Sequence, residues 1–174
     1  MSTLSEDAKA TLLLTGRFGD KDRSNAKPLS PSEWGQFAGW LQARGLSPKD
    51  LLATHSHQLL AGWSSNKVTA DRLDQLLDRG MAMSLSLEKW HSAGVWVMTR
   101  SDRDYPRMLK RRLRESSPPV LFGCGDRAVI NKGGIAVVGS RNADDAALKE
   151  TRALAAMAAS EGVSIVSGGA RGVD

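Results

Sequence analysis

The sequence predicts an α/β protein, with a small helical domain first and an incomplete parallel sheet after it. Three observations carry this. Short capped helical segments follow one another from Ser30 to Gly94. The apolar run Ile135-Ala136-Val137-Val138, a glycine turn, an alanine-rich segment and the run Val163-Ser164-Ile165-Val166 then spell strand, loop, helix, strand, one βαβ unit of a Rossmann-like sheet. Finally, 174 residues with 41% hydrophobic and 25% charged side chains have the usual globular balance. A chain of this size hides roughly 70% of its unfolded surface, enough for a core without staples.

Three regions are expected: a flexible lead over 1–29, a helical domain over 30–94 and the incomplete Rossmann-like domain over 95–174. The lead is polar apart from Leu12-Leu13-Leu14 and has no sustained period, so at most one short helix near Glu6–Leu14 is expected. Ser30-Pro31-Ser32-Glu33 is a capping box with proline at the first helical position. Trp34, Phe37, Ala38 and Leu41 follow as one apolar stripe, and Gly45 stops the helix. Ser47-Pro48-Lys49-Asp50 opens a second short helix, and Ser56 to Ala61 forms a third. A fourth runs from a Thr69 cap through Leu73, Leu76 and Leu77 to Gly80. A fifth starts at Ser86 and ends at Gly94.

Beyond Gly94 the texture changes. Val95–Met98 reads as a strand, Tyr105–Leu113 as a helix ended by Pro118-Pro119, and Val120–Phe122 as a second short strand. Ile135–Val138 is continuously apolar, the mark of a strand buried on both faces. Gly139 to Asn142 form a tight loop, Ala143 to Ser160 a helix, and Val163–Val166 the next strand.

Composition excludes several function classes. The single cysteine, Cys124, rules out an internal disulfide framework and fits a reducing cytoplasm. No targeting or membrane-spanning segment is visible. The formal charge is +5, and it is local: Arg100 to Arg114 hold seven basic and two acidic residues, while the rest of the chain sums to zero. Such a patch suits a polyanion or a solvated helix face.

The two glycine-bearing loops carry the chemistry. A Gly-Ser turn at a helix start exposes backbone N–H groups at the positive end of the helix dipole, where an anion is favoured. Gly139 permits the turn, Ser140 donates from backbone and hydroxyl, and Arg141 adds a forked cation suited to phosphate. Any βα crossover favours a small residue here, so this loop alone decides nothing. The second loop, Gly168-Gly169-Ala170-Arg171-Gly172, ends a neighbouring parallel strand and is expected beside the first. The pair together predicts an anion site. It is not the dinucleotide fingerprint, which needs G-x-G-x-x-G and a later acid where Ser167 stands, and no Walker lysine follows either glycine loop. No cofactor is expected.

Gly134 to Asn142, followed by Val166 to Asp174, closely resembles the DNA-processing protein A (DprA/Smf) family. Asp104-Tyr105-Pro106 with Arg107 to Lys110, and Pro118-Pro119-Val120-Leu121-Phe122, resemble the family's aspartate-tyrosine-proline helix and Pro-Pro strand, in the same order. The helical segment looks like the family's SAM-like or helix-hairpin-helix-like domain. The resemblance implies a non-enzymatic protein that binds single-stranded DNA in a basic pocket, protects incoming DNA in natural transformation, forms homodimers and loads the RecA recombinase. It places Gly139, Ser140, Arg141, Asn142, Gly168, Gly169 and Arg171 at the strand-binding pocket. Two departures stand out. Ala143-Asp144-Asp145 replaces the family's usual proline and small hydroxyl residue. Asp174 also falls where the family's next helix begins, so a fragment with an uncovered apolar face is expected.

Competing readings are a nucleotide-binding or phosphoribohydrolase-like (LOG-type) protein, which would need a later Pro-Gly-Gly-x-Gly-Thr loop, and an inactive remnant. Gly62 to Lys67 sit where a helix-hairpin-helix turn would be, with serine for its second glycine. Trp34 and Trp96 are expected in cores rather than stacking on bases. His55 and His57 have no ligand set nearby in sequence, and Cys124 has no partnered histidine, so neither a metal nor a nucleophile is expected.

Overall fold

A computed structural model describes residues 4–19, 22, 24–53 and 56–174, and it resolves into two compact units, 1–125 and 126–174. The chain is α/β, as the sequence predicts.

The first unit is built around α1 (Glu6–Thr15), whose N-cap Ser5 accepts from the Ala8 N–H. Ala8, Ala10, Thr11, Leu12 and Leu14 of this helix are fully buried, so much of the lead expected to be flexible is core. The reason is its composition: small and apolar side chains lie all round the helix, which removes the amphipathic period that marks a surface helix. The Thr11 hydroxyl is satisfied by donating to the Asp7 carbonyl at 2.7 Å. Arg79, itself buried, closes the C-terminal end of α1. Its guanidinium donates to the Leu13 and Leu76 carbonyls, pairs with Asp22 at 2.6 Å and lies 4.7 Å over the Phe18 ring.

Around α1 the punctuation works as expected. α2 (Pro31–Ala43) starts on the complete Ser30/Glu33 capping box and buries Trp34, Phe37 and Leu41. Ser47 and Asp50 cap a 3-10 turn over Pro48–Leu52. α3 (Ser56–Leu59) is short, and α4 (Ala70–Leu77) starts on the Thr69 side chain. Leu14, Leu29, Leu51, Leu60, Val68, Leu73 and Leu76 complete this core with the α2 residues. α5 (Gly80–Ser92) begins six residues before the expected Ser86. Gly80 opens this helix instead of closing the one before it, because Ala82, Met83 and Ser86 are drawn into the core beneath α1.

Arg72 pins the 24–30 segment to α4, donating to the Lys27, Pro28 and Lys67 carbonyls and pairing with Glu33 at 3.0 Å. That guanidinium, bonded to the Glu33 carboxylate, holds its pKa at about 2 against an ordinary 4.5.

β1 (Val95–Thr99) and β2 (Val120–Cys124) form an antiparallel pair, with Trp96 opposite Gly123 and Thr99 opposite Val120. α6 (Arg107–Leu113) lies in their connection. The Tyr105 hydroxyl donates to the Pro118 carbonyl at 2.7 Å, and burial raises its pKa. These strands do not join the later sheet. Val97 and Val120 pack on the Leu12–Leu13–Phe18 cluster, so residues 95–125 belong with the helices. The expected boundary at 94/95 therefore lies inside the first unit, and the observed division follows Gly125.

The second unit contains a 3-10 turn over Arg127–Asn131, β3 (Ile135–Ala136), α7 (Asp145–Ser160) and β4 (Ile165–Val166). β3 and β4 are parallel, pairing Ile135 with Ile165 and Ala136 with Val166. The βαβ unit is thus present, with strands shorter than their apolar runs. The double burial expected for Ile135–Val138 is not found: Val138 is 78% exposed, Ile135 and Val166 are also open, and Ala158 is the buried residue of this unit among those described. One helix on a two-stranded ladder cannot cover both of its faces.

Candidate nucleic-acid interface

Parallel pairing delivers the ends of β3 and β4 to the same edge. Bonds from Ile135 N–H to the Ser164 carbonyl and from Val137 N–H to the Val166 carbonyl, both 2.9 Å, carry the ladder to the two loops. The loops are then tied to each other. The Gly139 N–H donates to Asp174 Oδ1 at 3.0 Å, and the Val173 N–H donates to the Ser140 carbonyl at 3.2 Å. Within the second loop the Ser167 hydroxyl donates to the Asp174 carbonyl at 2.7 Å and accepts from the Gly169 N–H at 3.2 Å.

Glycine is needed at two points of this junction. A β-carbon on Gly139 would sit 2.6 Å from the Val173 side chain. Gly172 has φ +97°, and a β-carbon there would meet the Ser140 carbonyl oxygen and lie 2.8 Å from Arg141 Cα. The close approach of two backbones and a left-handed conformation both exclude a side chain.

All seven predicted site residues are therefore brought together at one edge. They do not all offer what the sequence suggested. The Gly139, Asn142 and Gly169 N–H groups are spent on Asp174, the Ser140 hydroxyl and the Ser167 hydroxyl respectively. The N-terminus of α7 is also occupied, because Asp144 caps it by accepting from the Ala147 N–H at 2.8 Å. The N–H groups of Ser140, Arg141, Gly168, Ala170, Arg171 and Gly172 make no hydrogen bond among the described residues. Arg141 and Arg171 are exposed and form no ion pair among the described residues. Two exposed cations and the unbonded amides of two apposed loops can hold a phosphate-bearing chain, with arginine supplying forked donors.

Sequence reasoning missed the role of Asp174, whose carboxylate locks the first loop from 35 residues away. An acid closing a glycine loop was the available signal.

The weaker candidates resolve into structural roles. Gly62 has φ +86°, and the turn after it is tied by Trp63 Nε1 donating to the Val68 carbonyl at 2.7 Å. Trp63 packs edge-on against Phe37 and Trp40, so this turn closes the core. Trp34 is buried, and the half-buried Trp96 ring lies across Gly123. His55 and the His57 side chain lie outside the described residues. Cys124 is exposed, and no cluster of metal-ligating side chains occurs among the described residues. No described helix is long and apolar enough to cross a membrane.

Residues 96–174 match the family model described as DNA recombination-mediator protein A, a span that contains both loops and α6. The chain is also similar to Protein Smf of Synechocystis sp., 27% identical over 162 residues, with 84% of this chain and 40% of the relative covered. It thus spans about 40% of the length of that curated relative. No solved structure matches. The matched span takes in both tied loops, the Tyr105 helix and the Pro118-Pro119 strand, so residues 96–174 are similar to the DNA recombination-mediator protein A family over the part of the chain that holds the candidate site.

Proposed function

We propose that this chain is a non-enzymatic single-stranded DNA-binding protein of the DNA-processing type. The sugar–phosphate backbone is gripped between the loops 139–142 and 167–174, with Arg141 and Arg171 pairing with phosphates and Ser140 and the free loop amides completing the grip. Gly139 acts by letting the two loops approach, Gly168 by leaving room for the Asp174 carboxylate, Gly169 by its left-handed φ of +64°, and Asn142 by closing the first turn. The bond pair Gly139–Asp174 and Ser140–Val173 carries this reading, since it sets two arginine-bearing loops side by side. In the cell such a protein would work in the cytoplasm as a homodimer, protecting incoming strands in transformation and passing them to the RecA recombinase.

Fluorescence anisotropy with labelled oligo-dT and a duplex of equal length tests the reading. A charged hydrogen bond contributes about 1.5–3 kcal/mol, so Arg141→Ala should weaken single-strand binding roughly tenfold or more. Equal affinity for duplex and single strand, or indifference to Arg141→Ala, would refute it. Release of free base from a nucleotide panel would point instead to a phosphoribohydrolase-like activity.

A further inference from the structure

Local energetics oppose the first turn of α6, although Lys110, Arg111 and Arg112 suit the dipole at its last turn. Its N-cap is Pro106, which makes no side-chain cap bond, and its first turn holds no acid. Arg107 stands there instead, at the end where the dipole disfavours a cation. Arg107, Lys110, Arg111 and Arg114 fall at i, i+3, i+4 and i+7, on one stripe. Like charges at these spacings repel, and no Asp or Glu occurs between Arg107 and Arg114. All four are exposed and form no ion pair among the described residues.

The fold nevertheless holds this helix firmly. The Ser117 hydroxyl, fully buried, lies 2.8 Å from the Arg114 carbonyl and 3.4 Å from that of Leu109. Gly35 of α2 admits the backbone of Glu115, where a β-carbon would collide with it. Arg114 itself adopts φ 48° and ψ −121°, a region open to glycine and strained for arginine, and no other described non-glycine residue has a positive φ. A glycine there would relieve the strain; the sequence keeps a cation.

We propose that the α6 stripe is a second nucleic-acid site, a rail that binds the phosphodiester backbone whether or not the bases are paired. It runs about 10 Å along the helix axis, the reach of about three phosphates at roughly 3.4 Å each. Bound phosphates would cancel the like-charge repulsion that the free helix carries. The rail extends the polynucleotide reading of the loops but uses none of their residues.

The test is the salt dependence of binding by the full chain, measured on oligo-dT and on duplex. Arg107→Gln, Lys110→Gln and Arg111→Gln combined keep helix-compatible side chains. They should flatten the slope of log K against log salt by about 2 on single strands and slightly more on duplex. Arg114→Gly, which keeps the turn, should flatten it by about 0.7 on single strands and serves if the triple variant fails to fold. An unchanged slope on either form of DNA with the folded variant overturns the rail. An effect here with none from Arg141→Ala would sink the loop reading and leave the rail standing.

Discussion

Replacing Gly172 by alanine should separate the two loops without touching the first unit. At φ +97° a β-carbon costs about 1–3 kcal/mol in backbone strain. It would also press on the Ser140 carbonyl, and the Val173–Ser140 bond it disrupts is worth about 0.5–1.5 kcal/mol net. Together these set about 2–4 kcal/mol against the tied arrangement. Little packing resists the loops moving apart, because Ala158 is the buried residue of this unit among those described. If the grip requires apposed loops, affinity for oligo-dT should fall at least tenfold. Gly133→Ala is the matched control: φ there is +75°, yet nothing lies within 4 Å of the added carbon. It carries a left-handed penalty without the collision and should bind within about twofold of the parent. Anisotropy titration at fixed salt, with circular dichroism to confirm the intact first unit, reads both variants. Parent-like binding by Gly172→Ala, or an equal loss in Gly133→Ala, would refute the reasoning.

Glu33→Gln keeps the reach to the Ser30 N–H but removes the charge facing Arg72. The depressed carboxylate stabilises the fold fully above pH 4.5 and loses that contribution as pH falls toward 2, more than half of it by pH 3. Allowing for solvent at the pair, the stability gap between parent and variant should be about 1–2 kcal/mol at pH 7 and close as pH drops, as read by urea denaturation. A gap independent of pH would exclude the ion pair as its cause. Gly35→Ala, which in an open helix would add up to about 1 kcal/mol, should instead lower the melting temperature by several degrees, because its β-carbon meets the Glu115 backbone. In hydrogen exchange, the amides of α1 around Leu12 should be among the slowest in the chain and those of the Ile135–Val137 ladder among the fastest, since one sits in a core and the other does not. Comparable protection in both would contradict the burial pattern.

What could be seen in the sequence was local. Ser30 with Glu33, Thr69, and the strand–turn–helix–strand texture after Gly134 each depend on neighbours within a few residues; the caps form as expected, and the texture forms with shorter strands. α1 was obscured because burial on every side erases periodicity, leaving Leu12-Leu13-Leu14 without an amphipathic frame. Gly80 misled for a related reason: glycine commonly stops helices, and only packing of Ala82 and Met83 shows that it starts one. At the candidate site the residues were legible and their roles less so. Whether Gly139 offers its N–H depends on Asp174, and whether α7 offers its N-terminus depends on Asp144; no count of glycines and arginines contains that information.

The carboxylates also decide how the charge must be divided. With Asp174 and Asp144 taking donors that a phosphate would otherwise use, the loops retain two cations, Arg141 and Arg171. Two neutralised phosphates correspond to a salt slope of about −1.4 on single strands. The excess charge of the sequence lies elsewhere, between Arg100 and Arg114. A parent slope much steeper than the two loop arginines can supply would need further cations, and the exposed stripe on α6 offers four together. Under the proposed reading the loops would favour a flexible single strand, while the helix would contribute charge that is indifferent to pairing. Discrimination and electrostatic capture would reside in different elements, so Arg141→Ala should alter the single-strand to duplex ratio, whereas the α6 variants should weaken both forms alike.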